Sequence, residues 1–363
     1  MKKDYVISGI RMITTFMIIF CHTFEQIGFS LENNEIIGRI GNLLSAGVQI
    51  FLILSGYLYG KKKNYFENIC KFDFVIKNFS KILLDYYVYL FLVIFPIYHL
   101  LKPQSITYSS VWKILCASHT PGGVHHLWFI PYILICYLFT PLLFDLKVYI
   151  KSKAKNLISL VKYILLIMLI ECVYSIAFKS YFNSAWINSY IFGFFLPDII
   201  NYIEKNRQKS YIIISIIIGI VLNIIKKYIR YDFQPTLENG SLNWLFCQYY
   251  INYSRVFFAI SLFVSFKYFG NIILQYILNN NKMRLKSCIT KILDFSDEYS
   301  FDVYICHMIY IKGPLSLLNI TSIYIVNILI MLLVTIISSI ILRDICDIVK
   351  NLFDYFRNDL RNA

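Results

Sequence analysis

His22 and Glu25, with Arg11 three helical turns earlier, put an imidazole, a carboxylate and a guanidinium in and around the first apolar stretch of this chain, Tyr5 to Phe24. Imidazole titrates near neutral pH. His22 can therefore take the proton of an attacking hydroxyl as a general base, or attack a thioester itself to form a transient acyl-imidazole. The residues alone leave both routes open. Glu25 falls three positions on, roughly on the same helical face, where a carboxylate can orient the ring. The alternative for Glu25 is a solvated acid just past the helix end. Arg11 carries a permanent forked charge suited to phosphoryl oxygens. Its alternative is a structural pair with Asp85, Asp198 or Asp302. An Arg at the centre of a bilayer helix costs about 2.5–3.5 kcal/mol on insertion scales, so such a residue marks a functional site by default. Eleven residues at about 100° each make roughly three turns. Arg11 and His22 thus point the same way, about 16 Å apart along the axis.

The elements that must hold these groups are membrane helices. Of 363 residues, 58% are hydrophobic and only 15% charged, and mean hydropathy is +0.60. Soluble domains carry about 25% charged residues. The fold class expected is an all-α integral membrane protein of about ten transmembrane helices, near 5–24, 43–60, 82–101, 127–146, 157–178, 186–203, 211–226, 245–268, 298–312 and 322–342. The run after Lys3 is too long for a cleavable signal, and Phe24-Glu25-Gln26 is no cleavage site. One membrane domain over 1–345 and a short cytoplasmic tail over 346–363 account for the chain. With a cytoplasmic N-terminus, the inner segments hold 25 Lys and Arg and the outer segments 8, the remaining two being Arg11 and Arg255 inside helices. That split sets both termini in the cytoplasm. The net charge of +14 is accounted for by these short loops, so nucleic acid is not an expected partner; the lipid bilayer is. Nine scattered cysteines form no Cys-x-x-Cys pair, and neither a disulfide frame nor a metal site is expected.

Four segments carry recognisable spacing. They are the Arg11-to-His22 helix, the run Gly47-Val48-Gln49-Ile50-Phe51-Leu52-Ile53-Leu54-Ser55-Gly56-Tyr57-Leu58, the run His126-Leu127-Trp128-Phe129-Ile130 with Tyr137 and Pro141 beyond it, and the run Tyr299-Ser300-Phe301-Asp302-Val303-Tyr304-Ile305-Cys306-His307. In this order the chain resembles the acyltransferase family 3 membrane proteins, the surface-glycan O-acyltransferases. The resemblance spans nearly the whole chain. It implies a ten-helix enzyme that moves an acyl group, usually acetyl, from acyl-coenzyme A to a hydroxyl of a sugar or other acceptor, in a bacterial plasma membrane. Acetyl-coenzyme A is then the co-substrate and a cell-surface or secreted carbohydrate the acceptor; homo-oligomerisation is left open.

Under that resemblance His22 and Glu25 are the catalytic candidates, and Arg11 faces the coenzyme. Ser55 and Gly56 permit close approach by a ligand or by a neighbouring helix; Ser55 lies in no Gly-x-Ser-x-Gly elbow and is not expected to be a nucleophile. The family pattern near Lys-Arg-x-x-Arg appears here as Lys77, Asn78 and Lys81, point charges able to hold phosphate without a bidentate fork. Trp128, His126, Tyr304, His307 and Arg255 are the acceptor-side candidates. Interfacial anchoring competes with a site role for Trp128, as a satisfied interior histidine does for His307. A transporter or flippase for an acylated or lipid-linked intermediate is the alternative from another class, and inverted repeats would be its mark.

Overall fold

The computed structural model describes residues 3–30, 35–62, 65–67, 69–102, 108–116, 124–153, 184–205, 210–279 and 283–362, with a few positions between 162 and 174. Among the described residues every regular element is helical. These are α1 (Tyr5–Ser30), α2 (Glu35–Leu44), α3 (Gly47–Gly60), α4 (Lys71–Tyr89), α5 (Phe95–Leu101), α6 (Tyr108–Leu115), α7 (Phe129–Lys153), α8 (Ala185–Lys205), α9 (Ser210–Tyr228), α10 (Leu242–Asn279), α11 (Met283–Ile311) and α12 (Tyr324–Asn362). A π turn over Leu90–Ile94 joins α4 to α5, and another over Ile229–Phe233 extends α9.

Seven stretches among the described residues are long and apolar enough to cross a bilayer: Tyr5–Gly28, Ile36–Gly60, Lys71–Leu101, His125–Ile150, Ser210–Thr236, Leu242–Ile277 and Tyr324–Tyr355. They coincide with seven of the ten expected spans. The expected span 157–178 lies largely outside the described residues. The stretches 186–203 and 298–312 are helical, in α8 and α11, but neither is apolar enough to join the seven. Both bury their polar groups against neighbours. Ser189, Asp302 and His307 are at most 1% exposed, so neither helix needs to be uniformly apolar.

The chain divides into two compact units, residues 1–10, 46–70 and 138–286, and residues 11–45, 71–137 and 287–363. In the first unit α3 and α8 approach at backbone distance. A Cβ on Gly56 would stand 2.1 Å from the Tyr190 carbonyl oxygen, one on Gly60 would stand 1.9 Å from that of Phe194, and one on Gly193 would stand 2.2 Å from that of Ile53. Small residues are what let membrane helices pack this closely. The Lys147 ammonium, buried near the end of the same unit's α7 segment, donates to the Gly60 carbonyl at 2.6 Å and pairs with Asp198 at 2.7 Å. The α9–α10 pair is equally close at Gly219, whose Cβ would meet the Ser261 hydroxyl.

In the second unit, Ile19, Ile27, Val303, Ile311, Leu318 and Met331 form one buried cluster that joins α1, α11 and α12. The loop before α12 is tied by Asn327, which donates to the carbonyls of Leu318 and Thr321 at 2.7 and 2.8 Å. Tyr86 and Tyr87 of α4 donate to the last carbonyls of α6, at Ile114 and Leu115, which need partners because a helix C-terminus leaves them unpaired.

Candidate functional site: a three-histidine cluster

All of the histidines singled out from the sequence fall in the second unit, and the fold brings them together. The helix α1 runs to Ser30, so Glu25 is not a loop acid past its end. Three residues on from His22, it sets Oε2 3.4 Å from His22 Nδ1. That distance is long for a hydrogen bond but short for an ion pair. Glu25 Oε1 also accepts from the Cys21 thiol, at 3.7 Å. With Nδ1 turned to a carboxylate, the proton of neutral His22 sits on Nδ1 and the lone pair on Nε2. The His22 side chain is 23% exposed and that of Glu25 49%, so the pair is reachable.

A 3₁₀ turn over His125–Trp128 leads into α7 and buries His126 while leaving His125 outside. This turn and α11 are stitched in both directions. Tyr304 Oη donates to the His126 carbonyl, and His126 Nε2 donates to the Ile305 carbonyl at 2.9 Å. One turn along α11, His307 Nδ1 donates to the Tyr304 carbonyl at 2.6 Å. The acceptors are carbonyls, so these ring nitrogens must carry the hydrogens. Neutral His126 then has its lone pair on Nδ1 and His307 on Nε2. Both atoms are buried, and neither has a partner among the described residues. The His307 ring stacks on His22, centroids 5.6 Å apart at 25°, and meets His126 edge-on at 4.7 Å. His307 thus touches both other rings, and the two buried imidazoles carry unpartnered ring nitrogens while His22 is only half-buried. A desolvated, unpaired acceptor costs about 1–3 kcal/mol each, a cost more usual at a functional site than in a packed core.

Trp128 is half-buried and packs edge-on against Tyr132, centroids 5.5 Å apart. Its place one residue beyond the buried His126-Leu127 pair sets it beside the cluster in sequence.

A second polar group lies in the same unit. Arg11 reaches Asp297 of α11 at 2.6 Å. None of the acids expected from the sequence, Asp85, Asp198 or Asp302, takes that role. Asp297 was missed because nothing in the spacing singles it out; it comes into reach through α1–α11 packing. Asp302 is 1% exposed, and both its carboxylate oxygens lack a hydrogen-bond partner among the described residues. Asp85 of α4 and Lys81, Arg343 and Asp347 all lie within its electrostatic reach. An acid inside an apolar helix was the signal that could have marked Asp302 and Asp85 as more than spare ion-pair partners. Lys77 and Lys81 are exposed on α4, and no carboxylate pairs with either among the described residues. Spaced i, i+4, they share one face.

The remaining sequence candidates belong to the first unit. The open face of Gly56 is filled by α8 backbone, and the Ser55 hydroxyl donates to the Phe51 carbonyl at 2.9 Å. The two therefore serve helix packing in this structure. Arg255 sits on α10, half-buried, within the field of Lys226. The donor atoms of Cys21, His22 and Glu25 all lie within 4.8 Å of one another, a set whose chemistry zinc would accept, although adjacent Cys and His in a helix are not a metal-binding spacing in sequence.

Comparison with known proteins agrees with the geometry. A family model described as an acyltransferase domain matches residues 4–344. No curated protein and no solved structure matches the chain. The match takes in the α1 histidine, the stitched His126 turn and the α11 Tyr304–His307 pair alike, so this chain belongs to the acyltransferase-3 family and is a multi-pass membrane acyltransferase.

Proposed function

We propose that the protein transfers an acetyl group from acetyl-coenzyme A to a hydroxyl of a cell-surface or secreted carbohydrate, with His22 as the general base. In this reading the chain crosses a bacterial plasma membrane about ten times with both termini in the cytoplasm. The observation that carries it is the orientation of His22. Glu25 holds the Nδ1 side, so Nε2 is the basic atom, and it belongs to the one imidazole of the cluster that solvent still reaches.

The steps balance simply. The acceptor O–H gives its proton to His22 Nε2 as its oxygen bonds to the thioester carbonyl carbon. The C–S bond then breaks, and the departing thiolate takes the proton back from the imidazolium. Glu25 steadies the imidazolium while it exists. Tyr304 fixes the His126 turn through its hydroxyl, and His307 supports the His22 ring by stacking. On the donor side, Lys77 and Lys81 offer two unpaired ammoniums on one helix face, a spacing that suits a diphosphate. Arg11 is engaged by Asp297, so its role toward the coenzyme is to shape the charge around the donor rather than to grip it alone.

Purified protein in liposomes, given acetyl-coenzyme A labelled in the acetyl group, tests this directly. Thioester turnover that depends on a glycan acceptor and falls roughly 10²–10⁴-fold in His22→Ala is the expected result. Movement of an acceptor across the bilayer with the thioester intact would instead establish the transporter reading.

A further inference from the structure

A cleft of about 840 Å³ opens between α9 and α10 in the first unit. Its volume is that of a small-molecule site. The wall is almost wholly apolar and strongly aromatic, with Tyr228, Phe233, Phe246, Tyr249, Tyr250 and Tyr253 contributing rings. Two further features set it apart from an ordinary lipid-facing groove. Its floor includes Ile229 and Phe233 from the π turn that extends α9, and π turns within α-helices occur frequently at functional sites. At the same end of α9 lies an excess of positive charge. Lys226 is only 5% exposed, with Arg255 and Arg230 both within its electrostatic reach. Arg230 lies over the Tyr231 ring at 5.6 Å. Among the described residues no carboxylate pairs with Lys226 or Arg230, and Asp232 on the same π turn is exposed.

A lysine kept only as a topology signal extends its ammonium to water. Lys226 does not. Crowding a largely buried lysine with two guanidiniums is costly, and an anion bound there would offset that cost. The adjoining wall specifies the rest of that ligand, because tyrosines and isoleucines take an apolar chain. In the orientation proposed above, Lys226, Lys227 and Arg230 are three of the eight basic residues on the outer side, where membrane proteins ordinarily shed Lys and Arg.

We infer that this cleft binds a lipid with a phosphate or diphosphate headgroup, its chain along the tyrosine wall and its headgroup on Lys226, Arg230 and Arg255. Such a headgroup belongs to an anionic phospholipid or to an isoprenoid phosphate that carries a glycan. Binding itself does not depend on the transferase reading; only use of the lipid as acceptor carrier rests on it.

The test uses the full chain in phosphatidylcholine vesicles carrying a trace of phosphatidylglycerol with a photoactivatable acyl chain, compared with photoactivatable phosphatidylcholine. Crosslinked peptides are mapped by mass spectrometry. The expected result is labelling of the 225–253 region roughly tenfold above the phosphatidylcholine control. The Lys226→Gln/Arg230→Gln double variant should drop to the control level, and Lys226→Arg should keep the label, which separates charge from folding. Unlabelled polyprenyl phosphate that competes at a lower mole fraction than phosphatidylglycerol identifies the isoprenoid; equal competition identifies bulk anionic lipid. Equal labelling by the two photolipids, or labelling indifferent to the double variant, would overturn the inference. Turnover of acetyl-coenzyme A, read in parallel, reports on the proposed catalytic function separately.

Discussion

At the scale of single residues, the roles of the three imidazoles separate by what holds each one. His126 and His307 each donate to a backbone carbonyl and are shut from solvent, whereas His22 meets the Glu25 carboxylate, stacks on His307 and stays accessible. Glu25→Gln keeps the size of the side chain but removes the charge that steadies an imidazolium. It is expected to lower kcat by roughly tenfold. That is well short of the ~10⁴ seen for a fully buried orienting carboxylate, because Glu25 is half exposed. Steady-state kinetics on the purified variant decides this; an unchanged kcat would return Glu25 to the status of a solvated acid. At His307 two substitutions divide stacking from polarity. His307→Phe keeps a ring against His22 and should retain more turnover than His307→Ala, with KM for acetyl-coenzyme A near that of the parent in both. If the two variants are equally impaired, the unpartnered Nε2 rather than the stack is what matters.

At the scale of elements, α3 and α8 form a glycine seam, and α4 presents a charged face. The position that sequence motifs mark as Ser55-Gly56 is explained by the seam, since the Tyr190 carbonyl occupies the space a methyl group would take. Gly56→Ala is therefore expected to destabilise the first unit by about 1–3 kcal/mol through overpacking, read as a lower unfolding midpoint in detergent; a midpoint unchanged from the parent would mean the helices separate more easily than the seam implies. On α4, Lys77→Ala/Lys81→Ala should raise KM for acetyl-coenzyme A several-fold while sparing kcat, because uniform binding energy is lost. Replacement by Arg should restore affinity. A fall in kcat alone would place these lysines away from the donor.

At the scale of the whole molecule, the proposed direction of the helices sets which cysteines face each side. Cys70, Cys116 and Cys288 are exposed, whereas Cys21, Cys136, Cys247, Cys306 and Cys346 are buried. The first three fall outside the expected spans, in segments to which the charge count assigns opposite sides. Variants retaining one of these cysteines at a time should react with a membrane-impermeant maleimide from outside at Cys116 only. Cys70 and Cys288 should react only after the membrane is opened. Labelling of Cys70 in intact cells would invert the topology and move the proposed base to the inner leaflet.

What the residues alone determined is the solvent and the chemistry. Apolar runs of bilayer length fix a helical membrane protein, because a backbone in hydrocarbon must satisfy its own hydrogen bonds. The price of ionisable groups within those runs singles out His22 and Arg11 before any contact is known. Spacing also puts Tyr304 and His307 on one face of a helix, one turn apart. It could not join them to His22 and His126, because segments distant along the chain meet only through packing, and periodicity within one helix says nothing about its neighbours. The same limit hid Asp297 as the partner of Arg11, and left Gly56 undecided between ligand and helix until α8 filled its open face. Helix α11 does not read as a uniformly apolar span for a related reason: its neighbours bury Asp302 and His307, so its own composition need not be apolar throughout.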